Sequence, residues 1–166
     1  MKRKIRAAVA VVATALALTG VNLVTASPAH AAASCSAEQR NSVPTPGFDT
    51  DFSVKVCVDG AGSDTKRAYI IVGWTDGGDS STDGDRKFDK LRIHQKLERN
   101  NTAYDSNSCS IAGKVNRNSS GAESCSSVTY TSSARGGWTG GYLEYDIDRD
   151  GKGSFTWSLH GSPVIS

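Results

Sequence analysis

The chain has 166 residues, 19 basic and 17 acidic, and a formal net charge of +2. Four basic residues and no acidic ones fall within the first 31 positions, which leaves 15 against 17, or −2, for residues 32–166. That balance removes the support for a nucleic-acid or polybasic membrane partner, and the length suits one domain.

Lys2, Arg3, Lys4 and Arg6 open the chain, an apolar run extends from Ala7 to Val24, and Ala29-His30-Ala31 supplies small residues. This pattern predicts a secretory signal peptide over residues 1–31, cut after Ala31, with Ala33 as the alternative. Thr19, Gly20 and Asn22 interrupt the run and argue against a retained anchor, so no membrane association is expected after cleavage. Residues 32–50 have no periodicity, carry Pro44 and Pro46, and are expected to form an extended N-terminal arm. Residues 51–166 form the expected single β domain.

Phe52, Val54, Val56 and Val58 alternate with polar residues and predict a half-buried strand. Across Arg67–Trp74 both alternating rows are apolar: Ala68, Ile70, Val72 and Trp74 in one, Tyr69 and Ile71 in the other. A central strand covered on two sides is the expectation. Asp76–Asp85 is a surface loop. Phe88–Arg99 again alternates, with Leu91, Ile93 and Leu97 on the inner row, and is assigned as a strand over a competing helix. From Asn100 to Ser127 the chain is polar, with a short strand predicted at Ile111–Val115; another strand falls at Val128–Ser132, before a glycine-rich connector.

The C-terminal stretch Tyr142–His160 predicts a β-hairpin. Leu143, Tyr145 and Ile147 share one face with Phe155, Trp157 and Leu159, and pairing Ile147 with Phe155 and Tyr145 with Trp157 keeps the two rows together. An odd loop, with Gly151 or Gly153 at positive φ, follows from that register. A hairpin alone is marginal, so a second apolar layer must roof it. The fold class expected is therefore all-β, a small disulfide-stapled antiparallel sandwich, with a small barrel as the alternative. Four cysteines in an exported chain predict two disulfides. Three pairings are open, and local closure favours Cys35–Cys57 and Cys109–Cys125. A lipidated Cys35 is the rival reading, but Ala32-Ala33-Ser34 lacks the leucine of such a site and lipidation would strand an odd thiol.

Three groups of residues invite a functional reading. Asp146, Asp148, Asp150 and Gly151 spell D-x-D-x-D-G, whose carboxylates could converge on calcium, the one cofactor the sequence suggests. The twelfth position is Trp157 instead of a bidentate Glu, and alternation alone would put Glu144, Asp146 and Asp148 on a wet face. Asp76, Asp79, Asp83, Asp85 and Asp89 form a second acidic cluster, equally explained by hydration. Trp138, set between glycine pairs, could project toward a sugar or protein, with Tyr142 beside it, or fold back as a plug. For catalysis the sequence offers little. His94 lies among Arg92 and Lys96, His160 ends the hairpin, and G-x-S-x-G, H-E-x-x-H, P-loop and paired-cysteine zinc patterns do not occur.

In leader, size and strand pattern the chain resembles the small disulfide-bonded β-proteins that actinomycetes secrete. These include protease inhibitors, antifungal proteins, carbohydrate-binding modules and adaptor subunits of umbrella-like toxin particles. The lack of catalytic signatures, the stapled scaffold and a proline-containing arm that could lie in a partner's groove or add to a sheet edge lead to the expectation of a bacterial, extracellular, non-enzymatic protein-binding module, an inhibitor or an adaptor, with Pro44 and Pro46 in the contacting arm. A carbohydrate-binding domain using Trp138 and Tyr142, calcium-assisted, is the alternative. A small hydrolase with a polar pocket around His160 is the third.

Overall fold

The computed structural model describes residues 33–60, 64–78, 86–100, 102–131 and 137–165. In chain order the elements are β1 (Ser34–Cys35), β2 (Gln39–Val43), β3 (Thr50–Gly60), β4 (Thr65–Thr75), β5 (Phe88–Arg99), β6 (Thr102–Ser110), a short helix α1 (Ala112–Val115), β7 (Gly121–Ser124), β8 (Val128–Thr131), β9 (Trp138–Ile147) and β10 (Phe155–Ser158). They form two antiparallel sheets. In the first, β3 and β4 are central, with β1 and β2 end to end along the free side of β3 and β7 and β8 end to end along β4. The second runs β10-β9-β5-β6. The sheets stay separate instead of closing, so the expected sandwich holds and the barrel alternative does not.

The core lies between them, and alternation built it. Val54, Val56, Ile70, Val72, Phe88, Leu91, Ile93 and Leu143 are completely buried, each on the inward row of its strand. A smaller cluster of Val58, Ala68, Leu97 and Val128 closes one end, with Ile165 packed against it. β4 is covered on one face only: Ile71 is exposed and Tyr69 half-buried on the other. The double apolar row reflects a central position within its sheet, not a third layer. The segment 33–50 packs against the first sheet and does not project as an arm. It supplies β1 and β2, and it buries Val43, Thr45 and Thr50.

Both disulfides connect the favoured partners. Cys35 lies directly opposite Cys57 on neighbouring strands, Cα atoms 4.1 Å apart, so the rival lipidated Cys35 is not what the fold uses. Cys109 of β6 joins Cys125 at 5.6 Å, tying an edge of the second sheet to the segment between β7 and β8 in the first. Two bonds of this kind are compatible with an extracellular protein. No helix among the described residues is long and apolar enough to cross a membrane.

A double edge built from two short strands leaves a gap where one strand hands over to the next, and in each sheet edge a polar side chain fills it. Between β1 and β2, Ser36 gives its N–H to the Val56 carbonyl (2.8 Å) and its Oγ accepts the Val56 N–H (3.1 Å). Between β7 and β8, buried Gln95 reaches across from the second sheet. Its Oε1 accepts the Ile70 N–H (3.1 Å) and its Nε2 donates to the Ser126 carbonyl (2.6 Å). A backbone donor left unpaired there would cost most of a hydrogen bond's desolvation. At the opposite side of the sandwich Gln39 of β2 behaves like a strand residue toward the chain just past β10. Its Nε2 donates to the His160 carbonyl (3.0 Å) and its Oε1 accepts the His160 N–H (2.7 Å).

The hairpin keeps the predicted face but not the predicted pairing. Phe155 lies opposite Tyr145 and Trp157 opposite Leu143, a slip of two residues that preserves the inward row and lengthens the turn. Arg149, Gly151 and Gly153 all take positive φ in that turn (57°, 68° and 75°). β10 is an edge strand in consequence: Phe155 is exposed, and Trp157 and Leu159 are half-buried against the core. The predicted strand at Ile111–Val115 is instead α1. Ile111 and Val115 are four apart, both buried, and joined by a Val115 N–H to Ile111 carbonyl bond of 3.1 Å. The polar stretch before it is strand β6.

Candidate functional site

Antiparallel register decides which side chains meet on the outer face of the second sheet. β5 turns Lys90, Arg92, His94 and Lys96 outward in successive alternate positions. On one side His94 lies opposite Ser108 of β6 and Lys96 opposite Ser106. On the other, His94 lies opposite Tyr142 of β9 and Arg92 opposite Glu144. The result is a basic stripe bordered by hydroxyls on one flank and by an aromatic and two acids on the other.

The stripe is only partly neutralised. The Glu144 carboxylate accepts from the Lys90 ammonium through one oxygen and pairs with His94 Nε2 at 3.1 Å through the other. The Lys90 hydrogen bond, and after it that of His94, hold the Glu144 carboxyl below the usual glutamate range, against the opposing effect of burial. Lys96 is matched by Glu98 at 2.9 Å. Arg92 has no carboxylate within ion-pair distance among the described residues, and its guanidinium donates only to Ser108 Oγ at 3.1 Å. The rings of His94 and Tyr142 stack, centroids 4.3 Å apart and planes 9° from parallel. A shallow groove of about 450 Å³ opens over them, lined by His94, Lys96, Ser106, Ser108, Gly141 and Tyr142. At Gly140 and Gly141 strand β9 lies close against β5. A Cβ on Gly140 would lie 2.6 Å from Glu98 Oε2, and one on Gly141 would lie 2.2 Å from the His94 carbonyl oxygen. Trp138 itself is half-buried at the start of β9, with its Cδ1 close to Gly161.

A second groove, of about 320 Å³, lies at the side of the sandwich where edge strand β2 faces the hairpin. Val43, Pro44, Tyr145, Ile147 and Phe155 line it, with Asp150 and Lys152 at its rim. Phe155 is 37% exposed, and its ring stacks on Tyr145 with centroids 5.6 Å apart. Pro44 is exposed, whereas Pro46 is half-buried and its carbonyl accepts from the buried Lys87 ammonium at 2.6 Å. The two prolines therefore divide: Pro44 is available at a surface, Pro46 holds a turn in place.

The three aspartates of the D-x-D-x-D-G run do not converge. Asp146 lies on the outer side of β9, opposite Lys90. Asp148 is buried, its oxygens each 3.5 Å from Arg86 Nε and Arg149 Nε. Asp150 caps its own turn, one oxygen accepting the Lys152 N–H at 2.9 Å, and its Oδ2 is buried with no hydrogen-bond partner among the described residues. No group of three or more His, Cys, Asp or Glu side chains is gathered for a metal among the described residues. Of the second acidic cluster, Asp79, Asp83 and Asp85 lie outside the described residues, and Asp89 pairs with Arg86 at 3.0 Å. His160 is exposed and lies in neither groove. Both thiol pairs are oxidised, so the described residues hold no cysteine nucleophile.

Tyr142, Pro44, Asp150 and Phe155 were visible in the sequence one at a time. Arg92, His94, Ser106 and Ser108 acquire meaning only from the cross-strand register, and a run of alternate basic residues, K-x-R-x-H-x-K, was their one linear signal. No family model matches the chain, and neither a curated protein nor a solved structure matches it.

Proposed function

We propose that the protein is a secreted, non-enzymatic module that binds another extracellular protein by taking an extended segment of it along β10. The supporting observation is the open edge of β10, which among the described residues pairs only with β9, beside the apolar groove of Pro44, Tyr145 and Phe155. An added strand draws its affinity from main-chain hydrogen bonds and its selectivity from pockets that take alternate side chains, and both parts are present there. A sandwich stapled by two disulfides offers this edge without having to order itself first. The basic start and apolar run of residues 1–31 support export, in an oxidising setting that suits the disulfides.

Deleting the segment 33–50 cannot test this reading, because the deletion removes two strands, the Cys35–Cys57 bond and buried Val43. Point variants can. The tagged protein is used to capture its partner from culture supernatant, the partner is identified and purified, and its affinity is measured against wild type, Phe155→Lys, Pro44→Ala and Tyr104→Ala. Tyr104, 39% exposed on β6, is the control. A loss of about tenfold or more with Phe155→Lys and none with Tyr104→Ala is expected. Equal affinity for wild type and Phe155→Lys removes the β10 edge from the account.

A further inference from the structure

We infer that the outer face of the second sheet is a separate binding site for an acidic sugar, a pyranose carrying a carboxylate or sulfate. Three features in the groove over β5 and beside it, where Arg92 reaches the lining residue Ser108, converge on that ligand. First, Arg92 is a half-buried cation with no acid partner among the described residues, whereas its neighbours Lys90 and Lys96 are each already matched by a glutamate. A guanidinium fork held by Ser108 Oγ is pre-set for a planar or tetrahedral oxyanion, which would find two parallel N–H donors there. Second, Tyr142 is 37% exposed and cannot swing freely, because its ring is stacked on His94 and His94 is in turn held by Glu144. A fixed aromatic at a groove wall suits the apolar face of a sugar ring, at small cost in side-chain entropy. Third, Ser106 and Ser108 project from the same side of β6, roughly 7 Å apart along the strand, and offer paired donor–acceptor hydroxyls along the floor.

Neutral sugars would use the second and third features but leave the Arg92 charge unanswered. A protein partner fits this face poorly, since its centre is charged and polar where interface centres are depleted of charge. The site is distinct from the β10 groove, and the two share no lining residue.

The test is titration of the intact protein with three probes: tetragalacturonate, a κ-carrageenan tetrasaccharide that is sulfated but lacks uronate, and neutral cellotetraose. At least one acidic probe should bind at least about tenfold more tightly than cellotetraose, and the tighter of the two names the anion. Arg92→Ala and Tyr142→Ala should each lose about tenfold or more in affinity for it, and Arg92→Lys, which keeps the charge without the fork, should lose less than Arg92→Ala. Lys55→Ala is the control, on the outer face of the other sheet with its side chain 51% exposed. Urea midpoints confirm that each variant is folded. The inference is overturned if cellotetraose binds as well as the acids, if none of the probes binds, or if Lys55→Ala costs as much as Arg92→Ala.

Discussion

Gln95 is one of the residues that hydrogen-bond one sheet to the other, and its removal can be worked out from its partners. In Gln95→Leu the Ile70 N–H loses its only acceptor at the gap between β7 and β8, while the Ser126 carbonyl retains the Asn107 Nδ2 donor at 3.0 Å. One buried donor is therefore orphaned, at about 1–3 kcal/mol. Leucine is close to glutamine in volume and adds apolar surface, but it cannot supply the acceptor. Equilibrium urea unfolding followed by tryptophan fluorescence should show a loss within that range at an unchanged m-value. Gln95→Glu is the sharper variant. A carboxyl at this site must donate to the Ser126 carbonyl, which it can do only when protonated, so its pKa rises on folding. The variant should then be closest to wild type in acid and lose stability as the pH rises past the ordinary glutamate range. If Gln95→Leu unfolds at the wild-type midpoint, or Gln95→Glu shows no such pH dependence, the side chain is not what completes the edge of β4.

Three further outcomes are expected. Leu143→Ala deletes a completely buried side chain at the meeting of both sheets and should cost about 2–5 kcal/mol by urea unfolding. Glu144→Gln should destabilise the protein at neutral pH. Because the Glu144 carboxyl is held low by Lys90 and His94, the wild-type advantage is present above the ordinary glutamate range and fades as the pH falls through the lowered folded value. Thermal midpoints compared across pH 2–7 check this. Finally, with Asp148 engaged by two arginines, calcium and EDTA should give the same melting midpoint; an upward shift with calcium would restore the D-x-D-x-D-G run as a metal loop.

What could be read from the sequence was whatever depends on a strand's own two faces. Phe52 to Val58, Ala68 to Trp74 and Leu91 to Leu97 announced their inward rows because burial on one side forces alternation. The hairpin's face was legible for the same reason, but its pairing was not, since a slip of two residues leaves every side chain on its own side. β6 escaped notice because an edge strand with its outer face in water needs few apolar residues: Thr102–Asp105 are exposed throughout. α1 was mistaken for a strand because five residues cannot separate a period of two from one of 3.6, although Ile111 and Val115 were already four apart. The candidate sites depend on still longer-range information. Pro44 meets Phe155, and Arg92 comes beside Ser108, only through strand neighbours that local pattern does not encode.

The amide of Gln39 also has a bearing on self-association. An unpaired strand end is an invitation to endless stacking, each copy offering the next the same template. Here the backbone of His160, two residues beyond β10, is already answered from within the molecule. What is left on β10 itself is a four-residue window, room for one short guest strand.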